Sequence, residues 1–332
     1  MPPPLLGSES FQAQFHQRWK LLTDRHVRDL AWLLDAPDLL DVHAPQWRGQ
    51  IASLAGHMTP EVETWLLALN QAPEELRAYL AIQPLTRLGR YAEKLMTFYF
   101  RHQNLLFAHN LQVRAGKDST VGEFDFLLRQ NGELLHLEFA TKFYLWESSG
   151  GGAAPDYFVG PNLADTLGAK MSKILDRQLA LASHPAAQVH LPGPVASAQA
   201  LIKGWLFYEG SNLQSIQQLS GESARAMGVS QAHCRGFWCP LAALELLGGD
   251  MFTLLPRLHW LAPARIEAPK ALDRRELKNA LAAHFECDTM PVMLALLEAD
   301  GDVGIEVDRG FIVPDDWQVR AKERTHWKDR RI

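Results

Sequence analysis

Two strand-like runs joined by a short turn, between Val121 and Leu145, constrain this chain more than any other feature. Successive side chains of an extended strand point to opposite faces, so each run can bury one face and leave charged residues on the other. The connection, Arg129 to Gly132, contains Asn131 and Gly132, and both tolerate the positive φ of a tight turn. The sequence therefore predicts a β-hairpin.

Alternation places acids and a lysine together on this hairpin. In the first run Glu123 and Asp125 share the face opposite the aromatic residues. In the second run His136, Glu138 and Lys142 share a face by the same rule. Folding the hairpin brings Asp125 near Glu138 and Lys142 on one surface.

Such a cluster suits metal-dependent phosphodiester chemistry. Two neighbouring carboxylates repel each other, and Mg²⁺ or Mn²⁺ bound between them relieves the repulsion. The metal polarises a phosphodiester and acidifies a bound water, and a nearby lysine can orient or deprotonate that water and stabilise charge on the phosphate. Asp125, Glu138 and Lys142 are therefore the candidate catalytic residues of a nuclease, with Asp125 and Glu138 as metal ligands.

The order acid, turn, acid, lysine resembles the PD-(D/E)XK phosphodiesterase superfamily. The motif G-E-F-D-F-L-L followed by H-x-E-x-A-x-K-F-Y-L is similar to an uncharacterised bacterial family, domain of unknown function 1853, over most of the chain. The superfamily resemblance implies an α/β fold with a restriction-endonuclease-like core, in the order helix, three strands, helix, strand. The matching segments are a helix at Leu88–Arg101, a strand at Leu105–Val113, the hairpin, a helix at Pro161–Leu181 and a strand at Ile202–Tyr208.

The resemblance also implies roles for single residues. Glu93 and Asp125 correspond to metal-site acids, Glu138 to the acid of the third motif and Lys142 to the catalytic lysine. Four further residues are candidates because of their position: Lys170, Lys173 and His136 for substrate binding, and Glu123 for support beside the metal ligands.

The third motif departs from the superfamily pattern. Its usual lysine position, two residues after the acid, is Ala140, and Lys142 follows two residues later. The parity of the strand is kept, so Lys142 points to the same face as Glu138. Three interpretations remain open: a migrated lysine, a degenerate site, or an alignment in which Ala140-Thr141-Lys142 is the motif and its acid is missing.

The 332-residue chain divides into three predicted regions. Residues 1–85 form an N-terminal helical region, 86–212 the nuclease-like core, and 213–332 a C-terminal α+β region. In the last region Val303–Val313 is predicted to be a hairpin that turns at Asp308-Arg309-Gly310.

Composition limits partners and location. The net charge of −5 and the pI near 6.2 provide no global basic field, so a nucleic-acid partner must be bound by a local surface. Three cysteines give no disulfide framework, and the N-terminus has no secretory signal pattern, which predicts a cytoplasmic protein. No apolar run is long enough to span a membrane, and the sequence does not indicate protein partners.

Two alternatives to the nuclease stay open. The shifted lysine and the acidic net charge are also compatible with a catalytically inactive nuclease fold that binds nucleic acid or protein. The hairpin charges would also be compatible with an unrelated α/β enzyme or scaffold in which they only decorate the surface.

Overall fold

The computed structural model describes residues 10–82, 85–116, 119–148, 154–212 and 221–326. The fold is mixed α/β, as the sequence predicts. In the N-terminal part the helices are α1 (Phe11–Arg18), α2 (Arg25–Asp35), α3 (Pro60–Gln71), α4 (Glu74–Ala81) and α5 (Leu88–His102). Side-chain caps begin several of them: Asp24 accepts a hydrogen bond from the N–H of Val27 at α2, and Thr59 from that of Val62 at α3.

The remaining elements alternate strands and short helices. The strands are β1 (Leu106–Gly116), β2 (Ser119–Gln130), β3 (Glu133–Trp146), β4 (Phe158–Val159), β5 (Val195–Glu209), β6 (Cys234–Pro240), β7 (Met251–Leu254), β8 (Arg265–Glu267), β9 (Val292–Asp300) and β10 (Val303–Val313). The helices are α6 (Leu167–Lys173), α7 (Pro185–Gln188), α8 (Gly221–Met227), α9 (Arg274–Cys287) and α10 (Trp317–His326).

The predicted hairpin is confirmed as β2 and β3. Gln130 pairs with Glu133 across a two-residue turn, in which Asn131 and Gly132 have φ of 51° and 84°. Positive φ at both central residues matches the right-handed twist of the flanking strands. The register places Leu127 opposite His136, so the parity inferred from the sequence holds in this part of the hairpin.

The ten strands of the described residues form one sheet in the order β1-β2-β3-β5-β6-β10-β9-β7, with β4 added to β3 and β8 to β10. Most pairings are antiparallel, but β3, β5, β6 and β10 run parallel at the centre. The central strand β5 is buried without interruption from Ala200 to Tyr208, because helices cover both faces of the sheet there.

Large apolar cores lie on both faces of the sheet. On one face, α1, α2, α3 and α5 pack on the strands, and Trp32 of α2 stacks on Trp205 of β5 with ring centroids 6.2 Å apart. On the other face, α6 and α9 supply Met171, Leu277 and Leu281. The strands β1 to β5 and the C-terminal strands β6 to β10 therefore share one sheet.

The helix after the hairpin differs from its prediction. It begins at Leu167 rather than Pro161, because the hydroxyl of Thr166 caps it by accepting the N–H of Ala169. It then changes to a π turn at Ile174–Gln178 and a 3₁₀ turn at Leu179–Ser183. A π turn shifts the side chains that follow it to a new angle, which matters for Gln178 below.

The predicted hairpin within Val303–Val313 is wrong, because this segment is the single strand β10. The chain reverses instead at Gly301, between β9 and β10, where φ is 62°. The register shifts between Glu306 and Asp308, so the polar residues mark a bulge. Arg309 is fully buried and pairs with Glu306 at 2.6 Å, which a solvent-exposed turn would not require.

In the part of the chain that the structure describes, none of the helices has the length and apolar character needed to cross a membrane.

Candidate active site

The candidate site lies where β2 and β3 separate. Their backbone pairing runs from Gln130–Glu133 to Phe126–Leu137. At the residue before Phe126 on β2, a side chain replaces the backbone as acceptor. The Oδ2 of Asp125 accepts the N–H of Phe139 at 3.0 Å. A side chain thus satisfies a backbone donor that a paired strand would otherwise satisfy. We call this point, formed by Asp125, Glu138 and Phe139, the β2–β3 fork.

Glu138 is held rigidly at the fork. Its side chain is buried, with the Nε2 of His136 2.8 Å from Oε1. Its Oε2 accepts a hydrogen bond from the Nε2 of Gln178, on the π turn, at 2.5 Å. His136 is itself buried against the ring of Phe124, with ring centroids 4.7 Å apart. The structure therefore places His136 beneath Glu138, where it orients the acid.

Four carboxylates influence one another at the fork; we call Glu93, Glu123, Asp125 and Glu138 the acid cluster. Burial, and then the charges of Glu138, Glu93 and Glu123, raise the pKa of Asp125 to about 8, although the hydrogen bond from Phe139 opposes the rise. Burial also raises the pKa of Glu93. Both shifts have the direction expected of buried acids close to other negative charges.

An arginine on α5 partly neutralises the acid cluster. Arg90 lies 3.1 Å from Glu93 and 3.7 Å from Glu123, and its charge opposes the rise in the pKa of Glu93. About half of the Arg90 side chain is exposed, so solvent weakens these two ion pairs. Asp125 and Glu138 have no such arginine partner among the described residues.

Lys142 lies in a second group of charges further along β3. Its Nζ is 3.8 Å from the Oδ2 of Asp165, to which the hydroxyl of Tyr144 donates at 3.0 Å. Burial, and then the positive charges of Lys170 and Lys173, lower the pKa of Lys142 to about 8, while Asp165 opposes this. The structure thus brings the two α6 lysines towards Lys142, and Asp165 is its ion-pair partner.

A cavity of about 540 Å³ opens beside Lys142. It is lined by Arg87, Leu88, Gly89, Thr141, Lys142, Phe143, Tyr144, Gly160, Pro161, Asn162, Ala164, Asp165, Arg257 and Trp260. Residues from α5, from β3 and from the loop before α6 thus form its walls, together with Arg257 and Trp260. The cavity is large enough for a small-molecule ligand.

The donor atoms at the fork fit a hard divalent cation. Carboxylate oxygens of the acid cluster are the ligands that Mg²⁺ and Mn²⁺ prefer. Within the described residues, the Oε1 of Gln178 is buried and lacks a hydrogen-bond partner, so one further oxygen donor lies beside Glu138. The same residues contain no group of three or more His, Cys, Asp or Glu side chains already arranged around a metal position. Protein hydrogen bonds hold Glu138 and Asp125 instead.

Sequence reasoning missed several residues of the site. Gln178 falls within the predicted helix, but only the π turn directs it at Glu138. Tyr144 shares the parity of Lys142 and was detectable as a neighbour, whereas its partner Asp165 lies in a loop. Arg87 and Arg257 are far apart in sequence, and no local pattern links them to the cavity.

A comparison with protein-family models matches residues 28–313 to the domain of unknown function DUF1853. The match covers most of the 332 residues. The chain belongs to the DUF1853 family. Neither the curated proteins nor the solved structures give a match. The matched span includes the fork, the cavity and the strands β6 to β10, so the family unit is the whole sheet.

Proposed function

We propose that this DUF1853 protein is a metal-dependent nuclease of the PD-(D/E)XK type, with a restriction-endonuclease-like core formed by α5, β1 to β3, α6 and β5. The main support is the fork, where Asp125 and Glu138 from adjacent strands lie within range of mutual repulsion and Lys142 follows on the same strand. A hard divalent cation bound there would polarise a phosphodiester and supply an acidified water.

Each residue of the site has a part in this proposal. Asp125 and Glu93 offer carboxylate oxygens to the cation, together with Glu138. His136 and Gln178 fix the orientation of Glu138 through their hydrogen bonds to its two oxygens.

The lysines act on the phosphate and the water. With a pKa of about 8, Lys142 exists near neutral pH in both its charged and its neutral form. It can therefore accept a proton from water or stabilise the charge of the phosphate. Lys170 and Lys173, on α6, lie close enough to lower its pKa and would attract the phosphate backbone to the same side.

A catalytically inactive binding module is the second candidate. Two observations favour it. Both carboxylate oxygens of Glu138 already have hydrogen-bond partners in the protein, and Lys142 forms an ion pair with Asp165. This module would bind nucleic acid through Lys142, Lys170 and Lys173 without cutting it.

Cleavage assays with matched variants separate the two candidates. The purified protein, with Mg²⁺ or Mn²⁺, is incubated with labelled single- and double-stranded DNA and RNA. We expect cleavage that Asp125→Asn and Glu138→Gln reduce by roughly a hundredfold or more, because each removes a carboxylate charge from the metal site. Glu133→Gln, at the exposed start of β3, and Asp302→Asn, in the exposed β9–β10 turn, serve as controls and should leave cleavage unchanged.

Two results contradict the nuclease. Cleavage that persists in Asp125→Asn would show that the acid cluster does not carry the reaction. Binding without cleavage over the whole panel of substrates and metals would favour the inactive module.

A further inference from the structure

The cavity beside Lys142 has the size of a small-ligand pocket and a lining with net positive charge. Its volume of about 540 Å³ lies in the range of small-ligand pockets and is too small for a duplex. Among its described lining residues, Arg87, Lys142 and Arg257 are basic, whereas Asp165 is the single acid. A net positive wall of this kind selects an anion.

The two arginines are available to a ligand. Arg87 and Arg257 are both exposed and approach the cavity from different parts of the chain. Arg257 lies over the ring of Trp260, with its guanidinium carbon 5.5 Å from the ring centroid. A guanidinium group offers planar, paired donors that match phosphate oxygens. Both arginines line the same cavity, so both can donate to a phosphate bound there.

The backbone of β3 adds donors at the same place. Beyond Phe139, β2 no longer pairs with β3, and β4 pairs only with Leu145 and Trp146 among the described residues. The N–H of Phe139 points to the β2 side, where Asp125 accepts it. Because N–H groups alternate between the two edges of a strand, those of Thr141 and Phe143 point to the same side, and both residues line the cavity.

The charge of a terminal phosphate fits this site better than that of an internal one. A phosphate monoester carries about −1.5 to −2 charges at neutral pH, whereas a phosphodiester carries about one negative charge. Three basic side chains, together with the N–H groups of Thr141 and Phe143, around one small cavity favour the more highly charged group.

We propose that this cavity binds the terminal phosphate monoester of a nucleic-acid strand, held by Arg87 and Arg257, while the charge of Lys142 adds to the attraction. The proposal extends the nuclease function and rests on it for its biological meaning, since Glu138 of the acid cluster is on the same strand as Lys142, β3. Cleavage would then begin near phosphorylated ends.

The test is a binding measurement without metal. Three fluorescent single-stranded oligonucleotides of one sequence carry a 5′-phosphate, a 3′-phosphate or no phosphate, and fluorescence anisotropy is recorded in EDTA. We expect one phosphorylated form to bind at least about tenfold more tightly than the unphosphorylated form. Arg87→Gln and Arg257→Gln should abolish this preference. Arg275→Gln, at an exposed arginine on α9 outside the cavity, is the matched control and should retain it.

The outcomes distinguish this proposal from the nuclease itself. Equal affinity for all three oligonucleotides, or an unchanged preference in both arginine variants, would overturn the terminal-phosphate site. Because EDTA removes the metal, a preference for phosphorylated ends supports the site even in a protein that cleaves nothing. Conversely, equal cleavage of circular and of end-phosphorylated linear strands would leave the nuclease intact and refute the end-binding role.

Discussion

At the level of single residues, Asp125 should make the stability of the fold depend on pH. Its pKa rises from the ordinary 3.8 to about 8 in the folded protein. Between these values the folded chain holds a proton that the unfolded chain has released, so the free energy of unfolding falls as pH rises through about 8. We expect Asp125→Asn to remove this loss of stability. The variant should then exceed the wild type in free energy of unfolding by a few kcal/mol, and this difference should be greatest above pH 8.

Urea unfolding of both proteins at about pH 5 and about pH 9 measures this difference directly, because other titrating groups are common to the two chains. Asparagine keeps an oxygen that can accept the N–H of Phe139, so the hydrogen bond of the fork is retained. Added Mg²⁺ at the higher pH should raise the melting temperature of the wild type more than that of the variant. The same pH dependence in both proteins would refute the raised pKa of Asp125.

Lys142 should titrate near pH 8, well below an ordinary lysine. The Asp165 carboxylate, 3.8 Å away, raises the pKa of this amine against the effects of burial and of Lys170. Asp165→Asn should therefore lower the pKa of Lys142 further, while the amide oxygen can still accept the Tyr144 hydroxyl. NMR titration of lysines labelled with ¹³C at Cε measures the change. The control Asp302→Asn should leave the pKa of Lys142 unchanged. A rise in the pKa of Lys142 after Asp165→Asn would contradict the ion pair of Lys142 with Asp165.

At the level of single residues, the sequence predicts the charged side chains of the site better than it predicts their hydrogen-bond and ion-pair partners. Alternation along one strand places Glu138 and Lys142 on the same face, because parity depends only on the extended backbone. It does not reveal that Gln178 binds Glu138 or that Asp165 pairs with Lys142, because those contacts depend on how a loop and a π turn pack on the sheet. Local patterns therefore predict candidate side chains, whereas tertiary packing decides their electrostatics.

At the level of elements, the packing of β5 against β3 requires a glycine beside Lys142. Gly204 has φ of 157°, and a Cβ atom there would lie 1.8 Å from the carbonyl oxygen of Lys142. Gly204→Ala should thus displace one of the two strands and lower the free energy of unfolding by roughly 3 kcal/mol. Gly89→Ala, in α5, meets no atom within 4 Å and should be neutral or stabilising. Chemical denaturation compares the two variants, and equal stability would show that β3 and β5 can move apart without cost.

Elements with strong local signals were predictable, and those set by distant contacts were not. The hairpin follows from alternation and from an Asn-Gly turn, both within a few residues. Helix α6 starts later than its apolar pattern suggested, since Thr166 is the cap and Asp165 binds Tyr144. In Val303–Val313 the Asp-Arg-Gly sequence looks like a turn, but burial of Arg309 against Glu306 makes it part of one strand.

At the level of the whole molecule, one sheet connects the acid cluster with the C-terminal strands. The parallel neighbours β3, β5, β6 and β10 come from segments far apart in the chain. Their order cannot be inferred from local periodicity, because parallel pairing needs long connections and gives buried strands a continuous apolar pattern. Trp260, which packs on Phe143 of β3 and on Phe311 of β10, forms one wall of the cavity.

The buried pair of Arg309 and Glu306 should therefore control both stability and the cavity wall. Arg309 donates to the carbonyl oxygens of Trp260 and Ala262, and its guanidinium carbon lies 4.1 Å from the centroid of the Trp205 ring. Arg309→Met leaves the Glu306 carboxylate buried without its partner, which should cost about 3 to 5 kcal/mol.

Urea unfolding measures this loss, and the Glu306→Gln, Arg309→Met double variant should recover part of it, because no unpaired charge is left. Arg275→Met, at an exposed site, should change stability by less than about 0.5 kcal/mol. The intrinsic fluorescence of the folded single variant should change as well, since Trp260 loses the hydrogen bond that fixes its backbone. If Arg309→Met were as stable as the wild type, the pair of Arg309 and Glu306 would not be needed to hold the C-terminal strands and the cavity wall in place.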